Sequence, residues 1–176
     1  MYRYLPLLWL VFAQPLQALE LFGKDLSATT RDEFRVAVKQ SGAKLLSEAG
    51  KDAFFDVYEG GALLHNATRL YLGFVKQNNR FAFVEYEFTG LQQPAMLVRL
   101  KQKYGEPDKQ AATFISDFRY RWQVDGIQIE LYQDWSNYKT RLSYTHKPAL
   151  QQLRAEQQQF LLSKRQQLLV FNEKAF

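Results

Sequence analysis

Between Phe118 and Tyr144 the chain alternates apolar and polar residues with a period of two, the pattern of half-buried strands. Phe118 to Val124 and Ile127 to Gln133 flank Asp125-Gly126, and Tyr138 to Tyr144 follows. Asp-Gly favours a two-residue hairpin because both positions accept the positive φ of a type I′ turn. That turn pairs Val124 with Ile127, Trp122 with Ile129 and Tyr120 with Leu131 on one face. On the other it pairs Arg121 with Glu130 and Arg119 with Tyr132. Trp135-Ser136-Asn137 lies in the next connection, which is expected to set Leu142 against Ile129 and Tyr144 against Ile127.

The same alternation marks Thr68 to Val75 and Arg80 to Phe88. A three-residue loop with Asn79 left-handed pairs Leu70, Leu72 and Phe74 with Tyr86, Val84 and Ala82, and lays Phe83 over Gly73. A two-residue loop would turn Glu85 onto the apolar face, where an unpaired carboxylate is costly. In this register Tyr71, Phe81 and Phe83 share the outer side, with Glu87 opposite Arg69.

Helical periodicity occupies the remaining segments. Thr30-Arg31-Asp32-Glu33 reads as a capping box before Phe34, Ala37 and Val38. Met96, Leu97, Leu100 and Tyr104 form one face of a second helix that starts near Pro94 and ends at Gly105 and Pro107. Pro148 opens a third, to about Val170, with a stripe of Leu150, Leu153, Phe160, Leu161 and Leu168. The fold class expected is α+β: a two-layer sandwich of two helix-plus-antiparallel-sheet halves, one sheet face left open, and a C-terminal helix.

The first residues follow a different rule. Met1 to Arg3, the apolar Leu5 to Phe12, and Leu16-Gln17-Ala18 have the layout of a secretory signal peptide. The apolar run is shorter than the roughly 20 residues that cross a bilayer. The expected organisation is a signal peptide over 1–18, cleaved near Ala18, then a tandem domain over 19–147 and a C-terminal helix over 148–176. The tandem halves fall at about 27–88 and 91–146. A periplasmic or secreted location follows, with no transmembrane segment.

Composition narrows the chemistry. The 176 residues are 47% hydrophobic and 23% charged, an ordinary globular balance. Cysteine is absent, which excludes disulfides, thiolate metal sites and a lipid-modified cysteine anchor. The formal charge of +5 is a mild excess that favours acidic partners and does not indicate nucleic acid. His65 and His146 stand far apart and outside any ligand-spaced motif, and no phosphate loop or nucleophile elbow occurs. Neither a cofactor nor a metal is expected, and no catalytic residue is assigned. Glu85 and Glu87 lie two apart on one strand; a solvated sheet face explains them better than a paired-carboxylate site.

Tyr104-Gly105-Glu106-Pro107, then Trp122-Gln-Val-Asp-Gly-Ile127, then Leu142-Ser-Tyr144 resemble small exported domains built from tandem helix-plus-sheet units. The β-lactamase inhibitor protein and the SmpA-type outer-membrane assembly lipoproteins are of this kind. The resemblance covers most of Thr30 to Tyr144 and implies binding of other proteins through the open sheet face. It assigns no binding residue by position. The chain departs from the lipoproteins in lacking their N-terminal cysteine, and its long last helix lies outside the pattern.

The outer face of the second sheet is the candidate partner site. Arg119, Arg121, Lys139 and Arg141 project there with Glu130 and Tyr132, and Trp135 adds an aromatic anchor at the sheet edge. Tyr, Trp and Arg are the residues most used as interface hot spots. A solvated charge ladder, each pair contributing about 0–1 kcal/mol, is the plainer alternative. The expected function is a non-enzymatic binding or accessory protein of the cell envelope, with an envelope protein, acidic in character, as partner. The rivals are a small-molecule or glycan-binding domain, which requires a cavity holding Glu85 or Glu130 beside Trp122 or Tyr132, and an assembly factor acting through the C-terminal helix. Nothing in the residues specifies an oligomeric state.

Overall fold

The structure, a computed structural model, describes residues 19–50, 53–111 and 118–174. The expected signal peptide, residues 1–18, lies outside these residues. The chain forms an α+β sandwich. A short hairpin comes first, β1 (Glu20–Leu21) with β2 (Lys24–Asp25), then α1 (Arg31–Gln40). Four strands follow: β3 (Leu45–Ser47), β4 (Phe55–Glu59), β5 (Ala67–Phe74) and β6 (Phe81–Thr89). The order repeats with α2 (Gln93–Tyr104), β7 (Asp108–Ala111), β8 (Phe118–Val124), β9 (Ile127–Asp134) and β10 (Lys139–Thr145), and α3 (Lys147–Lys174) ends the chain.

The strands form one sheet in the order β3-β4-β5-β6-β10-β9-β8-β7, antiparallel throughout. The last strand of each half, β6 and β10, pair at the centre. The two halves are therefore joined by a continuous ladder.

Local chemistry sets the elements. The Thr30 capping box is complete: Glu33 N donates to Thr30 Oγ1, and Thr30 N donates to Glu33 Oε2 at 2.9 Å. Such a cap stabilises a helix by about 1 kcal/mol. Gly105 ends α2 at φ 82°, a conformation that costs glycine nothing. Asp125 and Gly126 both have positive φ, and every pair expected across the β8–β9 turn is present.

One face of the sheet carries the core. Tyr58, Leu70, Leu72, Val84, Tyr86, Ile127, Ile129, Leu131 and Leu142 are buried with Phe34 and Val38 of α1 and Leu100 of α2. Trp122 Nε1 donates to the Gly105 carbonyl at 2.9 Å, so the β8–β9 hairpin is tied to the end of α2. Arg35 of α1 reaches buried Asp56 on β4 through two nitrogens, Nε to Oδ2 at 2.8 Å and Nη2 to Oδ1 at 2.7 Å.

Several expectations are corrected. The β5–β6 loop does place Asn79 at φ 55°, and Leu70–Tyr86 and Leu72–Val84 pair as expected. Phe74, however, pairs with Phe81 across a bulge, not with Ala82. The extra residue turns Phe81 inward, where its ring stacks on Phe34, and leaves Ala82 on the side that α3 covers. Leu142 pairs with Leu131 and Tyr144 with Ile129, two residues from the expected register. A slip of two preserves the faces, so the assignment of inward and outward residues stands. The edge strands β3 and β7 fall in segments with weak alternation.

The third helix packs on the face opposite α1 and α2. Ala149 and Leu153 are buried against Phe54, Val75 and Ala82, with Phe160 beside them. Glu156 accepts the backbone N–H groups of Lys76 (2.9 Å) and Gln77 (3.3 Å), stapling the helix to the β5–β6 turn. Leu161, expected in the packed stripe, is 58% exposed, as is Leu162, while Phe160 beside them keeps the contact with Phe54.

Candidate functional site: a groove between the outer sheet face and the third helix

The outer face is built from alternate residues of β6, β10, β9 and β8. Reading across the strands, Glu87 lies beside Arg141, which lies beside Tyr132, which lies beside Arg119. In the next row Glu85, Ser143, Glu130 and Arg121 are neighbours. The third row holds Phe83, Thr145, Gln128 and Gln123. Arg119, Arg121, Lys139 and Arg141 do share one face with Glu130 and Tyr132.

They do not form an uncompensated cationic wall. Glu130, whose side chain is only 10% exposed, accepts Arg119 Nη1 at 2.8 Å, Arg121 Nε at 3.0 Å and Gln128 Nε2 at 3.0 Å. Glu87 is buried, accepts Lys139 Nζ at 2.9 Å and forms an ion pair with Arg141 Nη2 at 3.3 Å. Arg141 also pairs with Glu85. Arg69 stands opposite Glu87 in the ladder, yet the carboxylate is engaged from the β10 side. The exposed ladder anticipated from alternation is thus a half-buried lattice of three carboxylates, each held by named cations.

Burial shapes the electrostatics. Desolvation pushes the Glu85 carboxyl above its usual range, and Arg141 opposes that shift. The Tyr132 hydroxyl is pushed up to about 12, by burial first and then by the Glu85 charge. The Arg119 guanidinium lies 4.6 Å from the centre of the Tyr132 ring, a cation–π contact that fixes both side chains.

Small side chains leave a hollow in this lattice. Ser143 separates Glu85 from Glu130, and Thr145 separates Phe83 from Gln128. With neighbouring strands about 4.8 Å apart, the flanking residues stand roughly 10 Å from one another. Above the hollow α3 supplies a wall, so that a groove of about 560 Å³ opens between helix and sheet. Its floor is Ser143, Thr145, Gln128, Glu85 and Glu130, and its aromatic sides are Phe55, Phe83 and Tyr132. Lys147, Leu150, Gln151, Arg154 and Gln157 line it from the helix, a spacing that follows one stripe of an α-helix.

Of the expected site residues, Arg119, Glu130 and Tyr132 line the groove, while Arg121 and Arg141 support its carboxylates. Lys139 lies a row beyond and holds Glu87. Trp135 is elsewhere. It sits at the tip of the β9–β10 hairpin, 37% exposed and edge-on to Tyr138 at 6.2 Å, at the strand end remote from α3. The residues missed by alternation are the ones that make the hollow and its wall: Ser143, Thr145, Lys147 and Arg154. Two small polar residues at successive outward positions of β10 were the only trace of it in the sequence.

Among the described residues no group of three or more His, Asp or Glu side chains is placed to hold a metal ion, and no helix is long and apolar enough to cross a membrane. No protein-family model matches the chain, and no curated protein matches it. Among solved structures, the crystal structure of a DUF4309 family protein (YjgB) from Bacillus subtilis subsp. subtilis str. 168 is similar over 75% of this chain and 84% of that one. The identity is 13% and the TM-score 0.41, a likeness that carries no functional argument.

Proposed function

We propose that this chain is a non-enzymatic binding protein of the cell envelope, exported by its N-terminal leader, that takes part of a partner protein into the groove. The observation that carries this reading is the preorganised floor. Glu130 is held by three donors and Arg119 is fixed on Tyr132, so the polar groups around the groove are already oriented before anything binds. Preorganisation lowers the ordering cost of association. The carboxylates are committed to guanidinium pairs, an arrangement suited to shape and recognition. The location rests on the leader pattern of Met1 to Ala18.

One observation favours a second reading, a small-molecule or glycan site. Glu85 and Glu130 share a cavity with Tyr132, and its volume lies within the roughly 300–1,000 Å³ of small-ligand pockets. The open trough-like lining along more than two turns of α3 favours a longer ligand.

A photo-crosslinking residue placed at Gln128 or Gln151 in intact cells tests the proposal. Discrete protein adducts are expected from both positions and not from Val98, which is exposed on α2 on the other side of the sheet. The adducts should vanish when Ser143→Trp fills the hollow. Equal labelling from Val98, or none from the groove, would overturn it.

A further inference from the structure

We infer that the groove receives an extended, acidic peptide segment, with two carboxylates four residues apart on one side of the chain and an apolar side chain midway between them. This rests on the groove being the binding site and specifies what enters it.

Charge is the first argument. The floor is internally compensated, because Glu130 and Glu85 are bound by Arg119, Arg121 and Arg141. The wall is not. Lys147 and Arg154 line the groove from α3, both are exposed, and among the described residues neither forms a hydrogen bond or ion pair. Arg119 adds a third cation, 46% exposed, at the far side. An entering carboxylate therefore meets unpaired cations on the helix side while the floor carboxylates are already screened by their own partners.

Spacing is the second. Lys147 and Arg154 are seven residues apart on one helix, hence on one side and separated by about 10.5 Å. Side chains four apart on an extended chain share one side and stand about 13 Å from one another, a difference that the long, flexible Lys and Arg side chains bridge. Between the two cations Leu150 and Leu153 line the groove, whose aromatic lining includes Phe83 and Tyr132, a place for one apolar side chain.

The neutral lining is the third. Gln128, Gln151, Gln157, Ser143 and Thr145 offer both donors and acceptors along the trough. An extended backbone presents N–H and C=O groups alternately and can use them, whereas a compact anion cannot. The helix stripe from Lys147 to Gln157 covers about 15 Å, room for four or five extended residues.

Fluorescence anisotropy on the purified full chain tests this with labelled Gly-Asp-Thr-Phe-Thr-Asp-Gly, its Asn-substituted neutral form and its Lys-substituted basic form. The acidic peptide should bind at least about tenfold more tightly than the neutral one, with the preference shrinking as salt rises. Lys147→Glu with Arg154→Glu should abolish the preference. Arg165→Glu, a single charge reversal on the exposed part of α3 outside the groove, should leave affinity within about twofold, whereas Arg154→Glu alone should weaken it more. Circular dichroism confirms that each variant is folded. Neutral and acidic peptides bound equally, and both displaced by Ser143→Trp, would overturn the charge assignment while the groove remains the site. Binding indifferent to Ser143→Trp would overturn both. Inorganic phosphate competing as well as the peptide would overturn the extended-chain assignment.

Discussion

Arg141 on β10 grips Glu85 on β6 across the seam where the two halves of the sheet meet. The same guanidinium reaches Glu87, so one side chain neutralises two carboxylates, of which Glu85 lines the groove. Arg141→Met should cost about 1.5–3 kcal/mol, the range for hydrogen bonds to charged groups. The loss should depend on pH with a definite sign. Glu85 has a folded-state value already raised by burial, and removing Arg141 raises it further. Its ionisation then opposes folding most strongly at neutral and higher pH. The stability gap to the parent should narrow as pH falls toward 4.5, the ordinary glutamate value. Urea unfolding at several pH values checks both size and direction; a gap that widens on acidification contradicts it.

Asp56 is 1% exposed and is held by Arg35 and by the Ala49 N–H at 2.6 Å. Asp56→Ala should destabilise by about 3–5 kcal/mol, because the Arg35 charge is left largely buried without its main partner. Glu48 also pairs with Arg35 but is 59% exposed. Glu48→Gln should change stability by no more than about 1 kcal/mol. Chemical denaturation of the two variants measures the contrast, and comparable losses would refute this ranking.

Gly73 lies beneath the Phe83 ring, and a Cβ there would collide with it. Gly73→Ala should therefore cost about 1–3 kcal/mol as an overpacked site. Because Phe83 lines the groove, the displaced ring should also alter ligand capture. Adding Phe83→Leu should recover part of the stability. Thermal unfolding of the single and double variants shows whether the two positions couple.

His146 caps α3: its Nδ1 accepts the Ala149 N–H at 3.3 Å, which requires a neutral ring. Burial, and then nearby Arg80, hold its value below the ordinary 6.5. The stability from this group is full above 6.5 and is lost as pH falls through the lower folded-state value. Hydrogen exchange at Ala149, corrected for intrinsic rates, should accelerate in that window. His146→Asn keeps a capping acceptor that does not titrate and should remove the pH dependence.

Much was legible along the chain because it is written in near neighbours. The Thr30 cap, the Asp125-Gly126 turn and the Asn79 loop each depend on residues a few positions apart, and the two turns carry the faces of whole strands with them. Alternation then placed Arg119, Arg121, Lys139 and Arg141 outward, and even the two-residue slip of β10 could not disturb that, since side-chain direction repeats every two residues. The bulge at Phe81 was not legible. Its cause is the room beside Phe34 on one face and the passage of α3 over Ala82 on the other, neither of which is local.

Periodicity and turn chemistry thus suffice for an α+β chain with one apolar and one charged sheet face. They leave open which charges meet, since Arg141 and Glu85 are 56 residues apart and touch only because β10 returns to the centre beside β6. They also leave open that a helix with a weak apolar stripe crosses the outer face and turns a wall of charges into a trough. Pairing between distant strands and the docking of α3 settle those points, because each is fixed by the summed burial of the whole assembly and not by any stretch of chain within it.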